Sequence, residues 1–419
     1  MMKYLGMLLA YTVVVYAANM KFKIPVAISD ETYVLAAMDA QMRKKPEIAS
    51  AYFKHLYEKT GQKGYLYDSL RMYEGIKDTA LFSKAVEEAL SEDPEDKMLL
   101  RFQLISLLKE GHYSQASHKA LILSRLTKES SDYLLCAEAL LKLGNFQSGY
   151  SELKKAYDIT YDEETADRMS LILYAQLGQK EEAIRFLKEH IGAHGNSKII
   201  GKRLGSLYAD SGALEDAAQI YETTYELSSD GLIAQEAVKI YAYRQEFQKL
   251  RVLLEKSEVN DPMLLELYVR EKEFKKASAL ARKLYKRDAN PLYLAQSSVF
   301  AYEAATDHND SKLLMEVIEG LKTANEEIED PVYLNYLGYL MIDHDLGVGE
   351  GMQYVQKALD KQPDSPFYLD SLAWGKYKLG ECAEALRLIK QVESMIGADE
   401  QEVKEHLKAI KNCKTKEKK

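Results

Sequence analysis

Glycine returns at a nearly fixed interval in this chain. Gly75, Gly111, Gly144, Gly178 and Gly212 are separated by 36, 33, 34 and 34 residues, and a period of this length commits every copy to the same local structure. The residues around each glycine recur as well. Residues 197–224 carry Leu204-Gly205, Tyr208, Gly212, Ala217 and Tyr221, and the preceding copy carries Tyr174, Gly178, Ala183 and Leu187 at offsets 34 lower. These are the apolar and small positions of a helix, a tight turn and a second helix. The spacing predicts antiparallel helix pairs, with Ala183 or Ala217 where two backbones come closest and glycine in a turn that a Cβ would penalise. One such hairpin cannot bury its apolar face alone. Stacked copies can, and the result is a solenoid whose stability is roughly a sum over neighbours.

The same phase extends in both directions. Residues 33–57 form an earlier copy with Ala49 and Phe53 in its second helix. Residues 232–254 form a degenerate one with Gln245 where the glycine would stand, 263–284 restore the pattern with Tyr268, Ala277 and Ala281, and 292–321 form a looser pair split by Asp307-His308-Asn309-Asp310. Two clearer copies close the array, 333–359 followed by Pro363, and 367–389 with Gly380 and Ala385 in phase. The count is about eleven helix pairs, then a helix near 399–410 that caps the open core, as terminal repeats must. Eight prolines and 22 glycines in 419 residues leave too little turn punctuation for a many-stranded protein, so the fold class is all-α. The boundaries read as an array over 30–228, degenerate pairs over 229–325, a final two pairs over 326–395, and a cap with a basic tail over 396–419.

Residues 1–20, MMKYLGMLLAYTVVVYAANM, combine one charge at Lys3, an apolar run and small residues at Ala17 and Ala18. This is the pattern of a secretory signal, with Val15 and Ala17 as the −3/−1 pair. An uncleaved inner-membrane anchor stands beside it, because the 17 uncharged residues between Lys3 and Lys21 would reach about 26 Å as a helix against a hydrocarbon core of about 30 Å. The third reading is an ordinary buried first helix. Both of the first two place the body of the protein outside the cytoplasm, in the periplasm. No cysteine precedes Cys136, so the segment offers no acceptor for a lipid. Cys136, Cys382 and Cys413 are too few and too scattered for a disulfide framework and must leave one thiol unpaired. Cys136 falls on an apolar helix face as a small buried hydrophobe. The charge balance of 56 Lys and Arg against 65 Asp and Glu argues against nucleic acid as a partner, since phosphate neutralisation needs a basic surface.

From about residue 30 onward the chain resembles the tetratricopeptide-repeat family, in period and in the Leu-Gly, Tyr, Gly and Ala positions quoted above. Its last two copies, Tyr333-Leu-Asn-Tyr-Leu-Gly-Tyr339 and Tyr368-Leu-Asp-Ser-Leu-Ala-Trp374, are similar to the closing repeats of bacterial envelope members. Those include outer-membrane lipoproteins that serve as adaptors for a periplasmic C-terminal-processing protease, and a campylobacter-type chaperone for flagellar stator units. The resemblance implies a right-handed superhelical α-solenoid and a non-enzymatic scaffold or chaperone-like adaptor, bound to protein partners of an envelope complex. The missing lipidation cysteine departs from the lipoprotein members.

Fragments that imitate catalytic motifs do not hold up. In residues 195–202 five residues separate the glycines where a phosphate loop needs four, and Arg203 stands in place of the metal-binding hydroxyl. Gly347-Val-Gly349-Glu-Gly351 lies between two helices, as an inter-helix turn would. His190 and His194 are four apart, but Gly192 interrupts them and no third ligand is near, so they read as a solvated helix end and not as zinc ligands. No catalytic residues, metal site or cofactor are expected. A glycan-handling solenoid is the alternative from another class, and it needs acids and aromatics clustered in one cleft.

In the family's architecture the first helix of each pair lines the groove, with repeat positions 2, 5, 9, 12 and 13 facing it when the glycine is position 15. Position 5 is then Arg101, Leu134, Arg168 and Lys202 in successive copies, and position 13 is Lys109 and Lys142. This basic ladder suits the carboxylates of an acidic segment or a chain terminus; ordinary solvated helix charge is the other reading. The last two pairs offer aromatics instead, Tyr339 and Trp374 at position 9, Tyr377 at 12 and Phe367 at 2, with Asn335 and Asp370 at 5. They suit a docking patch, or packing between adjacent repeats.

Overall fold

The structure is a computed structural model that describes residues 12–17, 20–25, 29–74, 79–396 and 401–413. Gly75, the first eleven residues and the last six lie outside that set. Twenty-three α-helices follow one short β hairpin among the described residues. Twenty-two of them form eleven antiparallel pairs from Asp30–Met42 with Pro46–Thr60 to Pro366–Lys378 with Cys382–Ile396, and Gln401–Lys411 follows as a single terminal helix. The all-α repeat fold and its count of pairs are those read from the sequence.

The first-helix reading of the N-terminal stretch gives way to a hairpin. Thr12–Ala17 pairs antiparallel with Met20–Pro25, Val15 opposite Phe22, because consecutive β-branched residues suit an extended backbone better than a helix. Fully buried Ile24 packs with Tyr33, Ala37, Ala51, Phe53 and Leu56 of the first helix pair. No helix among the described residues is long and apolar enough to cross a membrane.

The chain divides into two compact units, Met1–Ser228 and Ser229–Lys419. In each, local sequence sets the helix ends. Side chains of Ser29, Asp96, Asp162, Ser197, Asp230, Asn260, Asn290 and Asp330 accept bonds from the first-turn amides of first helices, which would otherwise lack partners. Proline opens Pro291–Glu303, Pro331–Asp343 and Pro366–Lys378, where its missing N–H costs nothing. Five of the turns within pairs take a left-handed glycine: Gly111, Gly144, Gly178, Gly212 and Gly380 with φ between 67° and 81°. Lys44, Gln245, Lys272 and Asp345 adopt the same conformation at the same place with φ of 55–58°. The copy at Gln245 is therefore degenerate in sequence and not in geometry.

One first helix carries an extra residue. Sixteen positions separate cap Asp162 from Gly178, where fifteen separate Asp96 from Gly111, Ser197 from Gly212 and Asp230 from Gln245. The helix Glu163–Leu171 absorbs it by continuing as a π turn over Ile172–Gln176, the usual way a helix takes an insertion without losing its ends. The following pair keeps its register.

Small residues set how closely the helices approach. Ala49, Ala116, Ala183, Ala217, Ala277 and Ala385 are all fully buried at equivalent places in second helices. The closest crossing joins Pro331–Asp343 to Val348–Lys361, where a Cβ on Gly338 would lie 2.5 Å from the carbonyl oxygen of Gly351. This fixes Gly351 as a packing glycine, and Gly347, with φ of 102°, as the residue that opens the turn into the helix. A helix, Pro331–Asp343, and not a strand precedes them, so the stretch is an inter-helix turn.

Candidate protein-docking faces

Within each unit the first helices of neighbouring pairs pack directly on one another and present a common face. In the first unit Arg101, Leu134 and Arg168 come together along a cleft of about 530 Å³ that also holds Glu74, Glu138 and Phe102. Two basic residues of the expected ladder, Arg101 and Arg168, thus line one cleft. Their charges, however, are spent on the stack. Arg101 donates Nε to Asp132 Oδ1 at 2.6 Å and Nη2 to Asp132 Oδ2 at 2.7 Å, with Glu129 on the same Nη2 at 2.5 Å. Asp132 is wholly buried and also receives the Thr127 hydroxyl at 2.5 Å. These carboxylates, Asp132 first, hold the Arg101 guanidinium in its charged form. Arg168 pairs with Glu138 of the preceding repeat, and Lys142 lies 3.8 Å from the same carboxylate. Lys109 donates to the Glu74 carbonyl of the preceding repeat and lies 5.6 Å over the Phe82 ring. Lys202 is exposed.

Single-residue positions could not announce these partners, but a second pass for opposite charges one period apart does. Arg101–Asp132, Arg168–Glu138 and Arg203–Asp167 are separated by 31, 30 and 36 residues, the length of one repeat.

The aromatic residues of the second unit do converge. Trp374, on Pro366–Lys378, donates Nε1 to Asp343 at 3.0 Å and stacks on Tyr377 with centroids 4.8 Å apart. Its neighbour on another side is His406, stacked at 4.2 Å with planes 15° apart. His406 belongs to the terminal helix, and its Nδ1 lies 2.9 Å from Oδ2 of buried Asp370. Tyr339 is 6.2 Å from the same imidazole, and burial, then a hydrogen bond to Glu402, pushes its hydroxyl far above the ordinary tyrosine range. The patch expected to be open is thus half-covered by Gln401–Lys411. Phe367 alone of this set stands out, 59% exposed.

Phe367 is not isolated. Leu232, Leu292 and Val332 are also exposed, and each lies two residues after the cap of its first helix, as Phe367 follows Ser365. All four belong to the second unit and share one repeat phase, which Pro262 occupies in the helix Asp261–Arg270 between the first two.

Two other expectations need revising, while that of a buried, unpaired Cys136 stands. Cys382 and Cys413 form a disulfide despite their separation of 31 residues, because the terminal helix returns beside the helix that Cys382 opens. Cys136 is the free thiol, buried, and burial pushes it up to about 11, so it is unreactive at neutral pH. His190 is no solvated helix end: it is buried, its Nδ1 2.7 Å from the Tyr157 hydroxyl, while His194 stacks on Tyr161 at 4.7 Å. Burial, then His194, holds its pKa below the usual histidine value. No group of three metal-ligating side chains occurs among the described residues.

A feature not visible in the glycine period is the helix Phe274–Asp288. Lys275, Arg282 and Lys286 project from it into a cleft of about 890 Å³ floored by Ala279, Ala301 and Leu313.

A TPR repeat-containing protein of Pseudomonas aeruginosa is 37% identical over 65 residues, which cover 16% of this chain and 11% of that relative. Together with eleven helix pairs in the repeat phase, that match shows a chain built of tetratricopeptide-type repeats. No protein-family model matches it. Among solved structures, a tetratricopeptide repeat protein from Parabacteroides merdae is 16% identical, with a TM-score of 0.38 over 57% of this chain and 96% of that one. The APC/C Cut9–Hcn1 hetero-tetramer is 11% identical, with a TM-score of 0.38 over 92% of this chain and 97% of its counterpart.

Proposed function

We propose that this repeat protein is a non-enzymatic scaffold of an extracytoplasmic compartment, holding protein partners of an envelope complex against its first-helix face. The observation that carries the reading is the set Leu232, Leu292, Val332 and Phe367. Four exposed apolar side chains recur at one repeat phase near the starts of first helices, and we read them as contacts kept for a partner. The acids and aromatics that a glycan-handling cleft would need sit under His406 instead. The Cys382–Cys413 disulfide supports an oxidising compartment, in keeping with the signal-like or anchor-like residues 1–20. From the resemblance in the last two repeats, flagellar stator units are the first partner class and a processing protease is the second.

The test is crosslinking mass spectrometry in native envelopes, comparing the wild type with Leu232→Glu, Val332→Glu and Phe367→Glu combined. Charging the set should abolish partner crosslinks while leaving the helical content unchanged. Equal crosslinking by both would overturn the reading, and the partner recovered decides between motor proteins and protease. An intact Met1 in a soluble fraction would overturn the export assignment.

A further inference from the structure

The terminal helix does more than close the core, and the groove beneath it is built for a better ligand than the one it holds. A cap needs only apolar contact, which Val403, Leu407 and Ile410 supply against the cluster around Leu388 and Val392. Yet Gln401–Lys411 also drives His406 between Trp374 and Asp370. That arrangement buries a carboxylate and satisfies half of it. Asp370 is 6% exposed, and while Oδ2 faces His406, Oδ1 has no hydrogen-bond partner among the described residues. Asn335 Oδ1, at the equivalent position of the preceding first helix, is also buried without a partner. An unpaired buried acceptor costs free energy that a second donor would recover. Imidazole has one nitrogen to offer on that side. A guanidinium has a planar fork that matches both carboxylate oxygens.

What holds this imperfect ligand in place is covalent. Eleven residues are too few for a stable isolated helix, but Cys413, just beyond the helix, is bonded to Cys382 at the first position of Cys382–Ile396. Both sulfurs belong to half-buried residues within reach of solvent. We propose that the terminal helix is a displaceable internal ligand, latched by this disulfide over a groove whose external occupant is an amphipathic helix of a protein partner that directs an arginine at Asp370. The latch opens by thiol–disulfide exchange: a dithiol gives up two electrons and two protons, the Cys382–Cys413 bond becomes two thiols, and the dithiol closes to its own disulfide. The inference rests on the scaffold reading and names the partner chemistry of one of its faces.

Trp374 is the only tryptophan in the chain, so its fluorescence reports the groove directly. The experiment uses the full chain oxidised, reduced with dithiothreitol, and as Cys413→Ser. Two labelled peptides are titrated in, residues 401–411 as they stand and the same segment with His406→Arg. Reduction and Cys413→Ser should each raise acrylamide quenching of Trp374 at least about twofold, with no loss of helicity beyond that of the released terminal helix itself. The opened chain should bind the arginine peptide about tenfold more tightly than the histidine one, and Asp370→Asn should erase that preference. The oxidised chain should bind neither. Unchanged quenching on reduction would overturn the latch. An exposed Trp374 with no peptide bound, or with no preference for arginine, would overturn the groove's assignment. Either failure beside a Leu232/Val332/Phe367 variant that still loses its crosslinks would sink this inference and spare the scaffold.

Discussion

The two units solve one packing problem with different residues. In the first, four of the described turns are glycines beside one lysine, Lys44, and neighbouring repeats are tied by charge, as Arg101 is tied to buried Asp132. In the second, three of the turns are Gln245, Lys272 and Asp345, held in the glycine conformation, and charge ties such as Arg251 to Glu273 are joined by aromatic and covalent ones. A lone left-handed residue with a Cβ costs about 1–2 kcal/mol, an amount that the burial of one leucine offsets. Glycine is therefore the cheapest turn residue and not an obligatory one, and repeats fade from the sequence faster than from the backbone.

The sharpest break between the units should come at a close-packed glycine in each. Gly338→Val in the second unit drives a side chain into the Gly351 backbone, which cannot rotate away, and should cost about 3–4 kcal/mol. Gly149→Ala in the first meets the Leu141 side chain, Cδ2 at 2.6 Å and Cγ at 2.7 Å, which can shift where a backbone cannot, and should cost about 1 kcal/mol. Denaturant melts followed by segment-resolved hydrogen exchange would compare them, and equal losses would mean that the crossing at Gly338 is not rigid.

Next in size is the charge tie. Arg101→Ala strands the Asp132 carboxylate inside the first unit and should cost about 3 kcal/mol. Arg185→Ala, which removes an exposed pair with Glu182, should leave stability almost unchanged. If the two variants melt alike, the ladder is surface charge after all.

Turn exchange gives a smaller effect of opposite sign in the two halves. Gly212→Ala should destabilise the first unit by about 1–2 kcal/mol, and Gln245→Gly should stabilise the second by up to about 1 kcal/mol. A stabilising Gly212→Ala would refute the strain argument.

The smallest expected effect is a pH dependence. Asp96 caps its helix; burial raises its pKa, but bonds from Lys63, Tyr67 and the Leu99 amide outweigh that and bring it down to about 2. A depressed carboxylate stabilises the fold above its unfolded value near 4 and loses that contribution as pH falls from about 4 towards 2. Solvent screening keeps the contribution to about 1 kcal/mol. Asp96→Asn should remove this acid dependence from the melting of the first unit; an unaltered profile from pH 5 to 2 would assign it to other acids.

Much of this was legible in advance, and the limits have a physical cause. Helix pairs, their number, the turn at Gly212, the packing alanines and the terminal cap all follow from local spacing, since side chains three, four or one turn apart meet wherever a helix forms. The partners of Arg101, Arg168 and Lys109 were not readable position by position, because they lie about one repeat away and depend on how pairs stack. The hairpin at Thr12–Ala17 was hidden because an apolar β-branched run serves strand and export signal equally well.

The sequence by itself determined the repeat: a period near 34, small residues at the crossings and capping residues at the starts leave helical hairpins one way to hide their apolar sides. Only the tertiary structure decided where the chain's end would go. Whether Cys413 meets Cys382, and whether His406 settles on Trp374 or leaves it open, depends on the direction a last helix takes after the array stops. No period reaches past the final repeat, so that direction is set by contacts between distant residues and by nothing written locally.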